Sequence, residues 1–397
     1  MVVSKGGSRC HRPPWREICG RGLDYLTEAG DLSGQSAHPF VRVGDQLAEA
    51  SHPRAGRSSE EVDSRVPARP RRNDRKTVLS TNVLEVKSLA SSRRSSYHRS
   101  MRKRISYYSD ALKLSGILST PDNSRKGGHF PGVVLVPGFM STADAFYPGF
   151  AEELNAGGFV SLTMDFRGFG ESEGVRGEVI PYLQIYDARN AISYLQSRPE
   201  VNPDQIALLG VSLGGGEVAY IAAQDRRVKC VASMVLVGDG ERRMRRFRTK
   251  QEWETLMQKV QEDRINRVLT GKSKDFHGFL GEGTDSVLIM PPDLSSSLKS
   301  AEQVEKEKGN RTTLATVDGW LGYKPEEIID KVSPTPILFV QAENDELEAD
   351  DANILYGKAK EPKKLFTLEG GVHFDVYGKR TNEAMKPVLE WFKQYLQ

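Results

Sequence analysis

The sequence predicts an α/β fold, a mostly parallel central sheet with helices on both faces. Short, wholly apolar runs recur, such as Gly132–Val136 (GVVLV), as expected of strands buried on both sides. Stretches with helical spacing of apolar residues lie between them. Pro or Gly punctuates the junctions, for example Pro137-Gly138, Gly157-Gly158 and Pro199.

In chain order, Tyr107–Ser109 and Lys113–Leu118 read as a strand hairpin, and Gly132–Val136 as the first core strand. A helix follows, with Phe146, Phe150 and Leu154 four apart. Phe159–Asp165 is the next strand and Gly168–Gly174 a loop. Leu183, Tyr186, Ile192 and Leu195 mark a second helix. Gln205–Leu209 is a strand, Leu213–Gln224 a helix, and Val228–Val237 a strand. Thr335–Val340 and Lys364–Leu368 complete the strands, and a helix through Val388, Phe392 and Leu396 closes the chain.

Two segments break this rhythm. Residues 238–331 carry helical spacing at Trp253, Leu256, Met257 and Val260, a glycine-rich patch at Phe279–Gly283, and Pro291-Pro292. A structureless loop of that length is rare, so a largely helical cap insertion is expected between two parts of one core, 101–237 and 332–397. Residues 1–100 are rich in Arg, Ser, Pro and Gly and poor in apolar runs, which predicts disorder. Met101, where strand patterning begins, also fits a start site, with residues 1–100 an over-extended reading frame. No site is assigned there.

Composition excludes several functions. The 397 residues carry 56 Lys and Arg against 53 Asp and Glu, but the excess sits in the first 100, with 18 against 11. The remainder is mildly acidic, which argues against nucleic acid as a partner. Three cysteines without C-x-x-C spacing predict neither a disulfide framework nor a zinc knuckle. No apolar run reaches the roughly 18 residues of a membrane span, so stable membrane insertion is not expected. The start, MVVSKGGSRCHRPPW, lacks the apolar region of a secretory signal, and a cytoplasmic location is expected. Asn310-Arg311-Thr312 is a glycosylation sequon, meaningful only in a secreted protein.

The sharpest motif is Gly210-Val211-Ser212-Leu213-Gly214, directly after an apolar strand and before a helix. In that setting Ser212 lies on a strained turn with its Oγ exposed, and the helix N-terminus favours negative charge. A serine nucleophile needs a base. Among residues 101–397 the histidines are His129, in a turn, His277, in the cap, and His373, in a loop at the C-terminal sheet edge. His373 is the base candidate. Asp345, 28 residues earlier and after the preceding strand, is its orienting acid, with Glu343, Glu346, Asp350 and Asp239 as competitors. The N–H groups of Leu213 and Phe139 are the expected oxyanion donors, with Met140 as an alternative to Phe139.

These residues resemble the α/β-hydrolase superfamily from about residue 105 to 397. Pro137-Gly138-Phe139 is similar to its oxyanion loop, although Pro137 stands where His is usual. Asp165-Phe166-Arg167-Gly168-Phe169-Gly170-Glu171-Ser172 is similar to its Asp-x-Arg-Gly-x-Gly-x-Ser loop, in which the arginine orders structure. Asn344-Asp345 and Gly371-Val372-His373-Phe374 are similar to its acid and histidine loops. The nearest subgroup is the serine esterases related to dienelactone hydrolases, although Ser212 stands where those have Cys. The resemblance implies an α/β-hydrolase fold and a serine carboxylic-ester hydrolase that acts on a small-molecule ester, with no cofactor and no metal. Thioester, amide or peptide, and carbon–carbon substrates remain alternatives, as does a non-catalytic ligand receptor, and a homodimer is left open.

Residues 242–250 carry six basic side chains in RRMRRFRTK, read as a solvated cap helix, with attraction of an anionic substrate as an alternative. Trp253, Phe276, Phe279 and Trp320 are read as cap core rather than an acyl pocket.

Overall fold

The computed structural model describes residues 101–121, 129–145, 147–277, 280–281, 286–289 and 311–397. The readings of residues 1–100, Phe146, Phe279, Pro291-Pro292 and Asn310 lie outside these.

The chain runs β1 (Met101–Ser109), β2 (Leu112–Thr120), β3 (Phe130–Val136), α1 (Pro148–Ala156), β4 (Val160–Met164), α2 (Pro181–Gln196), β5 (Val201–Val211), α3 (Leu213–Gln224) and β6 (Val228–Met234). Next come α4 (Gly240–Arg245), α5 (Lys250–Thr270) and the short strands β7 (Asp275–His277), β8 (Leu280–Gly281), β9 (Leu288–Ile289) and β10 (Arg311–Thr313). The chain ends with α6 (Leu314–Leu321), β11 (Ile337–Ala342), α7 (Asp351–Lys358), β12 (Lys363–Leu368) and α8 (Thr381–Leu396).

Eight strands form one sheet in the order β1-β2-β4-β3-β5-β6-β11-β12. β2 is antiparallel to both β1 and β4, and every pairing from β4 to β12 is parallel. The parallel strands therefore end on one edge, and the loops that follow β3, β5, β11 and β12 meet there.

Two apolar cores lie on opposite faces. One packs α2, α3 and α7 beneath residues such as Val134, Leu208 and Phe339. The other packs α1 and α8 against Leu135, Leu209 and Val340, with Phe159 edge-on to Phe392 at 5.9 Å. Alternate residues of one strand feed opposite cores, so every position of GVVLV is apolar. Full burial of each such side chain stabilises by about 1.5–3 kcal/mol.

Several boundaries differ from the sequence reading. β6 stops at Met234, because Val235 adopts φ +41° and turns the chain toward the insertion. β5 extends from Val201 to Val211, beyond its apolar centre. On α2, Leu183 and Tyr186 are exposed, and Ile185, Ala188, Ile192 and Leu195 form the buried stripe. Two of the expected marker residues thus lie on the outer face.

Between β6 and β11 the described residues form helices α4, α5 and α6 and two small two-stranded sheets. α5 begins with a capping box in which Thr249 and Glu252 exchange hydrogen bonds, and ends at Gly271 with φ +71°. Phe276 and Trp320 are buried in the same apolar cluster as Val134 and Leu208, and Trp253 is partly buried against that cluster. The basic run departs from a simple solvated helix. Arg242 pairs with Asp351 at 2.7 Å, and Arg243 is buried against Glu348 at 3.1 Å.

Candidate active site

Ser212 sits between β5 and α3 with φ +57° and ψ −119°, a region that L residues rarely occupy. The turn is held by Ser212 N–H donating to Met234 O at 2.9 Å, and by Gly215 N–H donating to Ser212 O at 2.9 Å. The flanking glycines are required sterically. A Cβ on Gly210 would lie 2.1 Å from Gly214 O, and one on Gly214 would lie 2.2 Å from Val136 O. The elbow is thereby pressed against both α3 and β3. Ser212 remains partly exposed while its neighbours Val211 and Leu213 are buried.

His373 opens a 3-10 turn, His373–Tyr377, just after β12, and is only 3% exposed. Its Nδ1 lies 2.9 Å from Asp345 Oδ2. Asp345 Oδ1 accepts the N–H groups of Leu347 and Glu348, each at 3.0 Å. Burial alone would raise the Asp345 carboxyl, but His373 and these donors hold it below the usual value. Burial alone would lower His373, yet the Asp345 carboxylate brings it above its usual value.

The competing acids lie elsewhere. Glu343 accepts the Gly370 N–H at 2.6 Å, and Asp239 caps α4 by accepting the Arg242 N–H at 2.8 Å. Glu346 and Asp350 are exposed, as is His129. His277 lies on β7, in the insertion.

Phe139 follows β3 in the loop beside the elbow. A Cβ on Gly138 would sit 3.3 Å from Ser212 Cβ. The Gly138 N–H is engaged by the Tyr147 hydroxyl at 2.7 Å, so the next amides, Phe139 and Met140, follow at the edge of the site. The Phe139 ring meets Trp320 edge-on at 4.9 Å. Leu213 is the first residue of α3, where an N–H has no intrahelical acceptor.

Tyr377 and Tyr147 are site residues that the sequence reading missed. The Tyr377 hydroxyl hydrogen-bonds the Ser212 side chain and Tyr147, and its ring centroid is 6.2 Å from that of His373. Tyr377 thus links the serine with the histidine loop. No motif announces it; its only signal is its place one turn beyond His373. Arg243 and Glu348 form a further layer. Arg243 Nε donates to Glu348 Oε1 at 3.1 Å, and the Glu348 N–H is one of the two donors to Asp345. Burial pushes the Glu348 carboxyl up to about 7.

Arg167 makes hydrogen bonds to Asp187 at 2.6 and 2.9 Å, fixing its loop to α2 as the resemblance implies. Among the described residues, no cluster of His, Cys, Asp and Glu could hold a metal ion, and no helix is long and apolar enough to cross a membrane.

The family described as alpha/beta hydrolase fold matches residues 131–379. An uncharacterized 31.7 kDa protein in the traX-finO intergenic region of Escherichia coli is 31% identical over 275 residues, covering 67% of this chain and 91% of the relative. A thiohydrolase of Eupenicillium brefeldianum is 28% identical over 302 residues, 71% of this chain and 90% of the relative. Among solved structures, the alpha/beta hydrolase GrgF from Penicillium sp. sh18 superposes with a TM-score of 0.64 at 24% identity, covering 75% of this chain and 99% of that one.

Proposed function

The chain belongs to the alpha/beta hydrolase fold family, and from that premise we propose that it is a serine hydrolase that cleaves carboxylic esters through an acyl-enzyme on Ser212. The observation that carries this reading is the pairing of a strained, partly exposed Ser212 with the buried Asp345–His373 hydrogen bond on the same sheet edge.

In this mechanism the ester carbonyl lies over the start of α3. Ser212 Oγ attacks the acyl carbon, and its proton passes to His373 Nε2, because Nδ1 is engaged with Asp345. The N–H groups of Phe139 and Leu213 receive the oxyanion. Collapse expels the alkoxide, which takes the proton from His373 and leaves as alcohol. Water then attacks the acyl-enzyme with His373 as base, releasing the acid and restoring Ser212. Asp345 holds the imidazole tautomer and stabilises the imidazolium.

A thioester is the second reading, favoured by the similarity to the fungal thiohydrolase. It uses the same residues with a thiolate leaving group. Hydrolysis of p-nitrophenyl esters of graded acyl length, beside matched thioesters, tests both, with wild type and Ser212→Ala in parallel. Ester turnover that disappears with Ser212→Ala supports the first reading. Turnover of thioesters alone selects the second, and turnover that survives Ser212→Ala refutes both.

A further inference from the structure

The hydroxyls around Ser212 form a chain whose two ends fix its direction. A Cβ on Gly138 would lie 3.1 Å from Tyr377 Oη and 3.3 Å from Ser212 Cβ, so the phenol reaches between the oxyanion loop and the elbow. There the Tyr377 hydroxyl hydrogen-bonds both the Ser212 side chain and Tyr147. Tyr147 Oη accepts the Gly138 N–H at 2.7 Å and is hydrogen-bonded to the Ser141 side chain. The Tyr377 ring is held from several sides, edge-on to Tyr147 at 6.3 Å and to Phe150 at 6.1 Å, with the His373 ring at 6.2 Å.

Each hydroxyl brings one proton and two lone pairs. The Gly138 N–H can only donate, so it occupies one lone pair of Tyr147. With the Ser141 hydroxyl on the other, the Tyr147 proton goes to Tyr377. Three donors into one phenol oxygen would leave its own buried proton without an acceptor. Tyr377 then accepts from Tyr147 and donates to Ser212 Oγ. At the far end Asp345, held ionised, can only accept, so His373 presents Nδ1–H to it and takes the serine proton at Nε2. One sense satisfies every member, from Gly138 through Tyr147, Tyr377, Ser212 and His373 to Asp345. Burial raises the proton affinity of Tyr377 well above the ordinary tyrosine value and pushes Tyr147 up to about 12. Both phenols therefore keep their protons, and neither competes with His373 as a base.

We propose that Tyr377 is a catalytic residue, a neutral hydrogen-bond donor to Ser212 Oγ that stabilises negative charge on this oxygen as the serine attacks and again as it leaves the acyl-enzyme. This rests on the hydrolase reading above. The serine proton still passes to His373 Nε2 and returns from it. Tyr377 gives up no proton and forms no bond to carbon. The gain falls on the transition states, because Oγ is a neutral hydroxyl in the resting enzyme and an ester oxygen in the acyl-enzyme. Both are weaker acceptors than an alkoxide-like oxygen. Tyr147 is a positioning residue that fixes the sense of the donor.

The test follows phosphonylation of Ser212 by a fluorophosphonate, which reads attack by Oγ alone, beside turnover of a p-nitrophenyl ester. Tyr377→Phe keeps the ring and is expected to lower both the phosphonylation rate and kcat/KM by about tenfold. Incorporation of 3-fluorotyrosine at position 377 strengthens the donor without removing it. It is expected to raise both rates by about twofold, which a purely structural role would not do. Rates unchanged in Tyr377→Phe, or unchanged or lowered with 3-fluorotyrosine, overturn the proposal while leaving the hydrolase reading standing. Where Tyr377→Phe fails to fold, the fluorinated protein carries the test alone. A wild-type protein that is not phosphonylated at Ser212 removes the hydrolase reading, and the proposal falls with it.

Discussion

Asp345→Asn separates the role of the acid from its bulk. Asp345 Oδ1 receives two backbone N–H groups at 3.0 Å, and Oδ2 faces His373 Nδ1 at 2.9 Å. An asparagine must place its oxygen at one of these positions and its NH2 at the other. NH2 at the Oδ1 position would leave two buried donors unmet, at about 1–3 kcal/mol each. The lower bound, about 2 kcal/mol in total, already favours oxygen at Oδ1 by roughly thirtyfold. The amide NH2 then faces Nδ1 and donates to it. His373 must accept there and carry its proton on Nε2, so it cannot take the serine proton. Loss of kcat by about 10⁴-fold is expected with little change in fold, as for the corresponding change in serine proteases. Steady-state kinetics with a p-nitrophenyl ester measures the loss, and ¹⁵N spectra of the imidazole report the tautomer. The pH profile gives a second readout. His373 must be neutral to act as base and its proton affinity is raised, so wild-type activity falls with decreasing pH from above the ordinary histidine value. Without the carboxylate, burial dominates and the residual acid limb moves to lower pH. A variant that retains more than about a tenth of wild-type kcat refutes the tautomer argument and leaves Asp345 a structural acid.

Three further outcomes are expected. Tyr377→Phe removes the hydroxyl bound to Ser212 and Tyr147, and should change kcat/KM by about tenfold, the worth of roughly one net hydrogen bond; kinetics beside a thermal melt separate this from a loss of stability. Gly214→Ala forces a Cβ to 2.2 Å from Val136 O, where only backbone can move, so it should destabilise by roughly 3 kcal/mol or more and abolish ester turnover, measured by denaturant unfolding. Glu217 is fully buried, neither carboxyl oxygen has a hydrogen-bond partner among the described residues, and burial raises its proton affinity well above normal. The native state therefore keeps a proton that the unfolded state releases, and stability falls as pH rises above the ordinary glutamate value. Glu217→Gln has no such proton to lose, so its Tm should gain on that of wild type as pH rises and show no gain at pH values below that range.

Much of the fold was legible in local sequence. GVVLV (132–136) and IALL (206–209) are apolar at every position because both sheet faces are covered, and the run 210–214 shows its turn because only glycine tolerates contacts of 2.1 and 2.2 Å. The alternation of strand and helix implied a shared C-terminal edge, so residues after β3, β5, β11 and β12 could be nominated as one site. Where local signals competed, they were weaker. Leu183 and Tyr186 fit a helical stripe but face outward, since apolarity marks a helix without fixing which face the sheet covers.

Tertiary structure decided the rest. Asp345, Glu343, Glu346 and Asp350 share one acidic loop, and sequence distinguishes them poorly. Their separation comes from which carboxylate turns inward to His373 and which meets Gly370 or solvent. Arg243 and Glu348 are 105 residues apart, and the basic run around Arg243 reads as a solvated face, whereas the fold buries Arg243 against Glu348. Tyr147 reaches the Gly138 amide from beyond the end of its loop, and Tyr377 reaches Ser212 from a different strand connection. Periodicity and turn chemistry are properties of neighbours along the chain, so sequence by itself determined the elements and the edge on which they end. Side-chain partners across loops depend on how remote segments pack, and only the assembled structure supplies the low-dielectric contacts that choose among chemically similar residues.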